Sequence, residues 1–524
     1  MRKKTMYLLL ALMLLTGCIP PSQSTHDHEI LTILSFNDFH GQFVPDDGIA
    51  GAARLVRTIR KNGSPYGRTM VLCGGDNFSG TYFSSATNAC LQDELYRRCY
   101  VKYSVIGNHE FDWGIDTLIS FATKGNITYL SANIFTDSTM TERPYWLKPY
   151  AIRHIELISE KILRVAVIGL TTIQTKSKTK ASGTETVFFA DPYPAAKDIM
   201  ASLKDSAEVY IILAHIGASM KDGVPVFDAG EKADSLPYID GLHAIIAAHS
   251  HNVVEGYINN VPIVEAGCYG NFVGKINLDI SHKRVVYSDV DIVSTSRYWQ
   301  NRDMKRSVQK IMDSSLYNFS EVLTVAQREI PYNYTTKQKG FTELGAMVTT
   351  AYDEKFKSLM PATNQIVISV SNYGAIRVPL KKGNVTMLKA GNALPFGGEL
   401  LAYEVTGKEL KTLFQYGIFG TAKQNLGFAQ SNDLEITVKD SAVISIRHIP
   451  SQKIIADEDC VTVVAESFVT TGGDGYPKIF TKPVKEFNSI PADKRNPTMA
   501  FADYLRSKKT IDLNTANVCK VNNE

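Results

Sequence analysis

Long apolar runs are scarce in this 524-residue chain. After Leu15 none reaches the length, about 20 residues, that a bilayer-crossing helix needs. Dense basic runs are also missing, and the net charge is only +3. That balance argues against a nucleic-acid polymer as partner. Seven cysteines are present without one C-x-x-C pair, which argues against zinc–thiolate chemistry. There is no internal repeat and no low-complexity segment, so the chain is not a repeat array.

What remains is globular in character, 44% hydrophobic and 21% charged, and long enough for two or three domains of roughly 150 residues each. The start is different. Arg2, Lys3 and Lys4 precede an apolar stretch from Met6 to Leu15, the pattern of a secretory signal. Its end, Leu15-Thr16-Gly17-Cys18, resembles the lipobox of bacterial lipoproteins. That resemblance implies residues 1–18 as signal and lipobox, lipidation of Cys18, and an exported protein anchored at an outer membrane or cell surface. Residues 19–29 read as a polar tether, in which His26 and His28 are solvated. Cys73 and Cys268 lie in apolar strand contexts and are expected in the core. Cys90 and Cys99 are the one close pair, hence the candidate disulfide of an exported chain.

From 30 to 300, short β-rich runs alternate with helical stretches, which predicts an α/β domain. Strands are expected over 30–36, 69–73, 101–106, 163–170, 208–214, 243–248 and 261–266, with helices over 51–61, 114–123 and 194–205. Residues 271–294 read as antiparallel strands closing the domain. Residues 301–318 have helical spacing, with Val308, Ile311, Met312 and Leu316 on one side, and predict a connector within a linker over 301–335. A second α/β domain follows over 336–524, with a helix at 341–356, strands at 364–370 and 459–465, and Gly-rich turns at 392–399 and 470–476.

Five apolar runs in the first domain each end on a metal-binding residue. They read ILSFNDFHG, VLCGGDN, VIGNHEFD, IILAHIG and IIAAHSH. They offer Asp38, His40, Asp76, Asn108, His215, His249 and His251. Asp38 and His40 are two apart, as are His249 and His251, and the strand period of two would point each pair to one face. In α/β sheets such residues converge outside the carboxyl ends of the strands. Carboxylate, imidazole and amide oxygen together suit Mn²⁺, Zn²⁺, Co²⁺ or Fe²⁺. A natural partition gives Asp38, His40 and His251 to one ion and Asn108, His215 and His249 to a second, with Asp76 bridging. Two such ions clamp a phosphoryl group. His109 follows a ligand and is placed to stabilise charge on phosphoryl oxygens or assist the leaving group, with Asp112 orienting its ring.

These motifs, in this order, resemble the calcineurin-like metallophosphatases. The GNHEFD form resembles the bacterial and animal 5′-nucleotidase family, and LSANI (130–134), SNYGAIR (371–377), LPFGGEL (394–400) and TTGGDGYP (470–477) extend the likeness over nearly the whole mature chain. The resemblance implies a four-layer metallophosphatase β-sandwich flanked by helices, a linker helix, and a smaller α/β C-terminal domain that binds nucleotide and rotates to deliver it. It also implies a base slot between Phe396 and Phe468, a ribose acceptor at Asp474, and substrate contacts from Asn372 and Arg377. The chain departs from the family at Tyr373, where Gly is usual. It departs again over 335–340, where Lys337 and Lys339 stand in place of arginines.

The expected function is hydrolysis of nucleoside 5′-monophosphates to nucleoside and phosphate outside the cytoplasm, for salvage, by a monomer holding two divalent ions. The alternatives are a 2′,3′-cyclic-nucleotide 2′-phosphodiesterase with 3′-nucleotidase activity, or a UDP-sugar hydrolase. A third, from another class, is a non-catalytic surface nucleotide-binding protein.

Overall fold

The computed structural model describes residues 28–46, 48–63, 68–159, 161–179, 181–228, 232–332, 340–361, 365–420 and 428–523. Cys18, His26, Lys337 and Lys339 lie outside them.

Two six-stranded sheets form the first domain. One runs, in spatial order, Arg284–Ser294, Phe272–Ser281, Glu29–Phe36, Thr69–Cys73, Val101–Val105 and Thr128–Leu130. Its last four strands are parallel, and the other two close it as an antiparallel pair. The second sheet has the order Val253–Ile258, Val261–Ala266, Ala244–Ile246, Val209–His215, Ile162–Thr171 and Tyr150–Glu156. The facing sides bury Leu31, Ile33, Leu72 and Val105 of the first sheet against Val165, Val167, Ile211 and Ile246 of the second. Each such side chain contributes about 1.5–3 kcal/mol when fully buried.

Helices cover the outer faces. Gly51–Asn62 turns Ala52, Leu55, Val56 and Ile59 inward and leaves Arg57 and Arg60 in solvent, the apolar spacing of an amphipathic helix. Pro192–Ser202 covers the other sheet through Ala196 and Met200. The order helix, sheet, sheet, helix is the expected four-layer sandwich.

The second domain has a five-stranded sheet, in the order Ala429–Gln430, Val367–Asn372, Cys460–Glu466, Leu400–Thr406 and Lys482–Pro483. Helices Glu343–Leu359 and Pro497–Ser507 pack on it through Leu344, Met347, Tyr352 and Phe501. A four-stranded sheet that includes Leu434–Lys439 and Ala442–His448 shares a second core with helix Gly407–Gln415. No helix among the described residues is long and apolar enough to cross a membrane.

Several local expectations need correction. The 301–318 helix is shorter, Arg302–Met312, and lies on the first domain, with Met304 and Val308 in its core. Val322–Ala326, in the expected linker, is a strand paired with Gly383–Thr386 and Thr510–Ile511 of the second domain. Glu29, read as the end of the tether, opens the first strand, and its carboxylate lies 3.5 Å from Arg68. Cys90 and Cys99 are both free. Cys99 ends helix Gln92–Cys99 facing the core while Cys90 precedes that helix in solvent, so the two thiols occupy opposite environments.

The domains meet at Tyr82. Its backbone N–H donates to Asn392 Oδ1 at 3.1 Å, and Ser85 Oγ donates to the Pro395 carbonyl at 3.1 Å. A Cβ on Gly391 would stand 2.1 Å from Tyr82 Cγ, so only glycine allows this approach.

Candidate metal and nucleotide site

All five ligand-bearing runs end at one place, but strand periodicity is not the reason. Strand Glu29–Phe36 stops before Asp38, and Ala244–Ile246 stops before His249. The side chains are aimed by the turns that follow. Asp38, His40, Asp76, His249 and His251 all have positive φ, from 48° to 87°. Such conformations in residues other than glycine cost of order 1–3 kcal/mol each and concentrate at functional sites. Backbone pairing secures the turns. Asp38 N–H donates to the Gly75 carbonyl at 3.0 Å, His40 N–H to Asp76 at 2.9 Å, and Gly41 N–H to Asn77 at 2.7 Å.

Asp38, His40 and His251 form one group of donor atoms, and Asp76, His215 and His249 a second. Asp76 also groups with His40 and His109, so its carboxylate stands between the two. In the first group His40 Nε2 faces His251 Nε2 at 3.0 Å, and His251 Nε2 lies 3.4 Å from Asp38 Oδ1. In the second, His215 Nε2 lies 3.2 Å from Asp76 Oδ2, 3.3 Å from Asn108 Oδ1 and 3.3 Å from His249 Nδ1. All seven predicted donors thus meet.

The donor chemistry fits divalent cations. His40 Nδ1 is 2.8 Å from the Ser79 carbonyl and His215 Nδ1 is 2.7 Å from the Gly74 carbonyl. Those bonds fix each Nδ1 as the protonated nitrogen and leave Nε2 as the ligand atom. Asp38 Oδ1 is buried without a hydrogen-bond partner. Burial works against charge on Asp38 and Asp76, yet the facing imidazoles hold both carboxyls below their usual range. Burial pushes His249 down to about 3 and His40 well below its usual value. Burial opposes charge on His215 too, but Asp76 outweighs it and takes the imidazole up to about 10. Two anionic carboxylates draw positive charge into the cluster, a demand that divalent ions meet in place of protons.

His109 and Asp112 are paired. His109 Nδ1 is 2.7 Å from Asp112 Oδ2. Asp112 is held in turn by Ser79 Oγ at 2.6 Å and Thr179 Oγ1 at 3.1 Å. Burial lowers the His109 pKa, but Asp112 and Asp76 raise it by more, so the net shift is upward.

Two buried carboxylates complete the support and were missed in the sequence. Glu110 accepts from the backbone N–H groups of Asp76 at 2.8 Å, Asn77 at 2.8 Å and Gly107 at 2.7 Å. It thereby ties the Asp76 loop to the Asn108 loop. Glu265 accepts from the Ala218 N–H at 2.9 Å and lies 2.8 Å from Ser250 Oγ, between His249 and His251. Burial lifts Glu110 to about 7 and Glu265 to about 8. Glu265 did leave a signal, as a lone acid within the apolar run Val261–Ala266, where a charge is costly unless it is paired. Glu110 left none, because its partners are main-chain amides.

The second domain closes the site. A cavity of about 720 Å³ is lined by Asp76, Asn108, His109, His249 and His251 from one side. Asn372, Arg377, Phe396, Phe468 and Asp474 line the other. Asn372 ends strand Val367–Asn372, and Phe468 and Asp474 follow the parallel neighbour Cys460–Glu466, again outside carboxyl strand ends. Asn372 Nδ2 donates to Asp474 Oδ2 at 2.8 Å. The Phe468 ring lies over Gly473, where a Cβ would come within 2.5 Å of it. Phe396 stacks on His109, and its ring centre is 5.1 Å from the Arg377 guanidinium carbon. Tyr373 packs in the second core. Its ring is buried and stacked 4.5 Å from Tyr332.

Residues 31–253 match the family model for calcineurin-like phosphoesterases, and residues 322–482 match that for the 5′-nucleotidase C-terminal domain. The chain is 25% identical over 565 residues to a 5′-nucleotidase of Vibrio parahaemolyticus, covering 95% of this chain and 94% of that one. It is 25% identical over 513 residues to the trifunctional nucleotide phosphoesterase protein YfkN of Bacillus subtilis. There the match covers 88% of this chain but spans only 33% of the relative's length. A solved structure, a 5′-nucleotidase precursor from Thermus thermophilus, has the same fold, with a TM-score of 0.73 at 20% identity over 95% of this chain and all of that one. Residues 31–253 hold most of the sandwich and the whole donor cluster, and residues 322–482 most of the C-terminal sheet, so the chain joins a calcineurin-like phosphoesterase domain to a 5′-nucleotidase C-terminal domain.

Proposed function

We propose that this protein hydrolyses nucleoside 5′-monophosphates to nucleoside and phosphate. One observation carries the reading. A single cavity joins the metal-type donors and His109 on one wall to Arg377, Phe396, Phe468 and Asp474 on the other. A nucleotide needs a cation-lined end for phosphate, a stacking surface for base and an acceptor for sugar hydroxyls.

Asp38, His40 and His251 would hold one divalent ion, Asn108, His215 and His249 a second, and Asp76 would bridge. Mn²⁺, Zn²⁺, Co²⁺ and Fe²⁺ suit this donor set. When bound, the pair supplies Lewis acidity to the phosphoryl group and activates water for in-line displacement. His109, whose pKa Asp112 raises, donates in its protonated form to a phosphoryl oxygen or to the leaving ester oxygen. Phe396 and Phe468 stack the base, a contact worth about 1–3 kcal/mol and tolerant of base identity. Asp474 accepts sugar hydroxyls, and Asn372 orients it. Arg377 offers a planar donor fork to phosphate or base.

The C-terminal domain rotates to carry nucleotide to the metals. Phe319 packs in the first core and Leu323 in the second, which supports a hinge over residues 320–322. A disulfide staple across the Tyr82–Asn392 contact tests this, and turnover unaffected by oxidation would contradict it. Export and anchoring through Cys18 place the reaction outside the cytoplasm, on the periplasmic or external face, where it serves salvage.

A second reading keeps the machinery and widens the substrate to cyclic 2′,3′-nucleotides or nucleotide-sugar pyrophosphates. The similarity to a protein named as a trifunctional nucleotide phosphoesterase favours keeping it. Phosphate release measured over AMP, 3′-AMP, cyclic 2′,3′-AMP, ATP and UDP-glucose, with each of the four metals, separates the two.

A further inference from the structure

Lys178 lies on the short helix Thr175–Lys178 of the first domain and lines the cavity. Its Nζ is 3.7 Å from Asp474 Oδ1 in the second domain. The side chains are only 13% and 7% exposed, so the pair is shielded from the solvent that makes most ion pairs weak. The other Asp474 oxygen is taken by Asn372 at 2.8 Å. Thr179, the next residue along, bonds to Asp112, the partner of His109. Two adjacent residues of one segment thus touch the support of His109 and the carboxylate across the cavity.

We propose that Lys178 is a positioning residue for nucleotide: it fixes Asp474 as an oriented, anionic acceptor for the sugar hydroxyls, and so sets the preference for ribose-bearing substrates. Asp474 sits in a Gly-rich turn with a φ of 52°, and burial raises its pKa while Lys178 opposes that rise. A neutral carboxyl there would offer one hydroxyl donor and a weaker acceptor, whereas the charged form accepts two hydroxyls. Lys178 belongs to the half of the molecule that holds the metals. The sugar is therefore recognised fully only when both domains face each other across it, and phosphate and ribose are read together. This inference rests on the nucleotidase reading above.

The test uses the full chain loaded with Mn²⁺. The quantity read is the ratio of kcat/KM for AMP to that for 2′,3′-dideoxy-AMP, which lacks both hydroxyls. Lys178→Met is expected to lower this ratio about tenfold, the scale of one charge-assisted hydrogen bond, chiefly through KM for AMP. Lys178→Arg should recover most of the loss. Asp474→Asn should show a similar loss, and the double variant no further one, because Lys178 acts through Asp474. A wild-type ratio in Lys178→Met overturns the proposal, as do losses that multiply in the double variant. If Lys178→Met fails to fold, Lys178→Gln is read in the same way. Absence of phosphate release from AMP by the wild type refutes the nucleotidase reading itself. Normal release with an insensitive ratio refutes only the role of Lys178.

Discussion

The ring of Phe396 lies parallel to the imidazole of His109, with centroids 5.5 Å apart and 8° between the planes. One residue belongs to the second domain and the other to the motif that carries the metal-type donors. The contact puts a base-stacking candidate against the proposed catalytic acid, with the Arg377 guanidinium also on that ring.

This stacking gives His109 an apolar neighbour. His109→Ala is expected to reduce kcat by about 10²–10⁴, with metal content by elemental analysis unchanged. Phe396→Ala is expected to raise KM for AMP about tenfold, the scale of one stacking contact. Steady-state kinetics separate the two outcomes.

Asp112 is expected to set the pH range. It raises the His109 pKa, and in the proposed mechanism the protonated imidazole is the active form. Activity is therefore present below that pKa and lost as pH rises through it. Asp112→Asn removes the charge, lowers the pKa and should move the alkaline limb of the kcat–pH profile to lower pH. A limb that stays in place or moves upward would show that another group controls it.

The donor cluster was legible because its residues lie in short motifs at the ends of apolar runs. Those runs are strands for a simple reason: Ile, Val and Leu are continuous where a strand is covered on both faces. The aim of the side chains has a different origin. Asp38 and His40 converge through positive-φ turns rather than strand alternation, and a two-residue spacing is compatible with both. Residues that act across the chain left less trace. Glu110 serves amides at 76, 77 and 107, and no side-chain pattern records a main-chain partner. Lys178 meets Asp474 only because two domains face each other. Leu316 continues the apolar spacing of the connector helix, yet the helix ends at Met312 and Leu316 is exposed.

Glu110 is expected to hold the two metal loops in register. Glu110→Ala leaves three buried amides without their acceptor, at about 1–3 kcal/mol each, and should weaken metal binding about 10–100-fold. Metal titration by calorimetry alongside thermal melting checks both effects. Glu110→Gln, which retains an acceptor oxygen, should lose less.

The domain contact makes its own prediction. Gly391→Ala forces a methyl group onto Tyr82, and overpacking of this kind costs about 1–3 kcal/mol. Tyr82→Ala in the same chain should relieve part of that cost, so the double variant melts above the value expected from adding the two single effects. Simple additivity would mean that Tyr82 is not what Gly391 accommodates.

If the donor cluster and the C-terminal pocket form one site for metal-dependent cleavage of a nucleoside 5′-phosphate, the purified chain releases inorganic phosphate from AMP. That release is best followed through chelation and re-addition of Mn²⁺, with Asp76→Ala alongside. It should be steady, stop with chelator, return with Mn²⁺, and fall by at least about 10³ in Asp76→Ala. No release with any of Mn²⁺, Zn²⁺, Co²⁺ or Fe²⁺, or full release in Asp76→Ala, would contradict the single metal-dependent site.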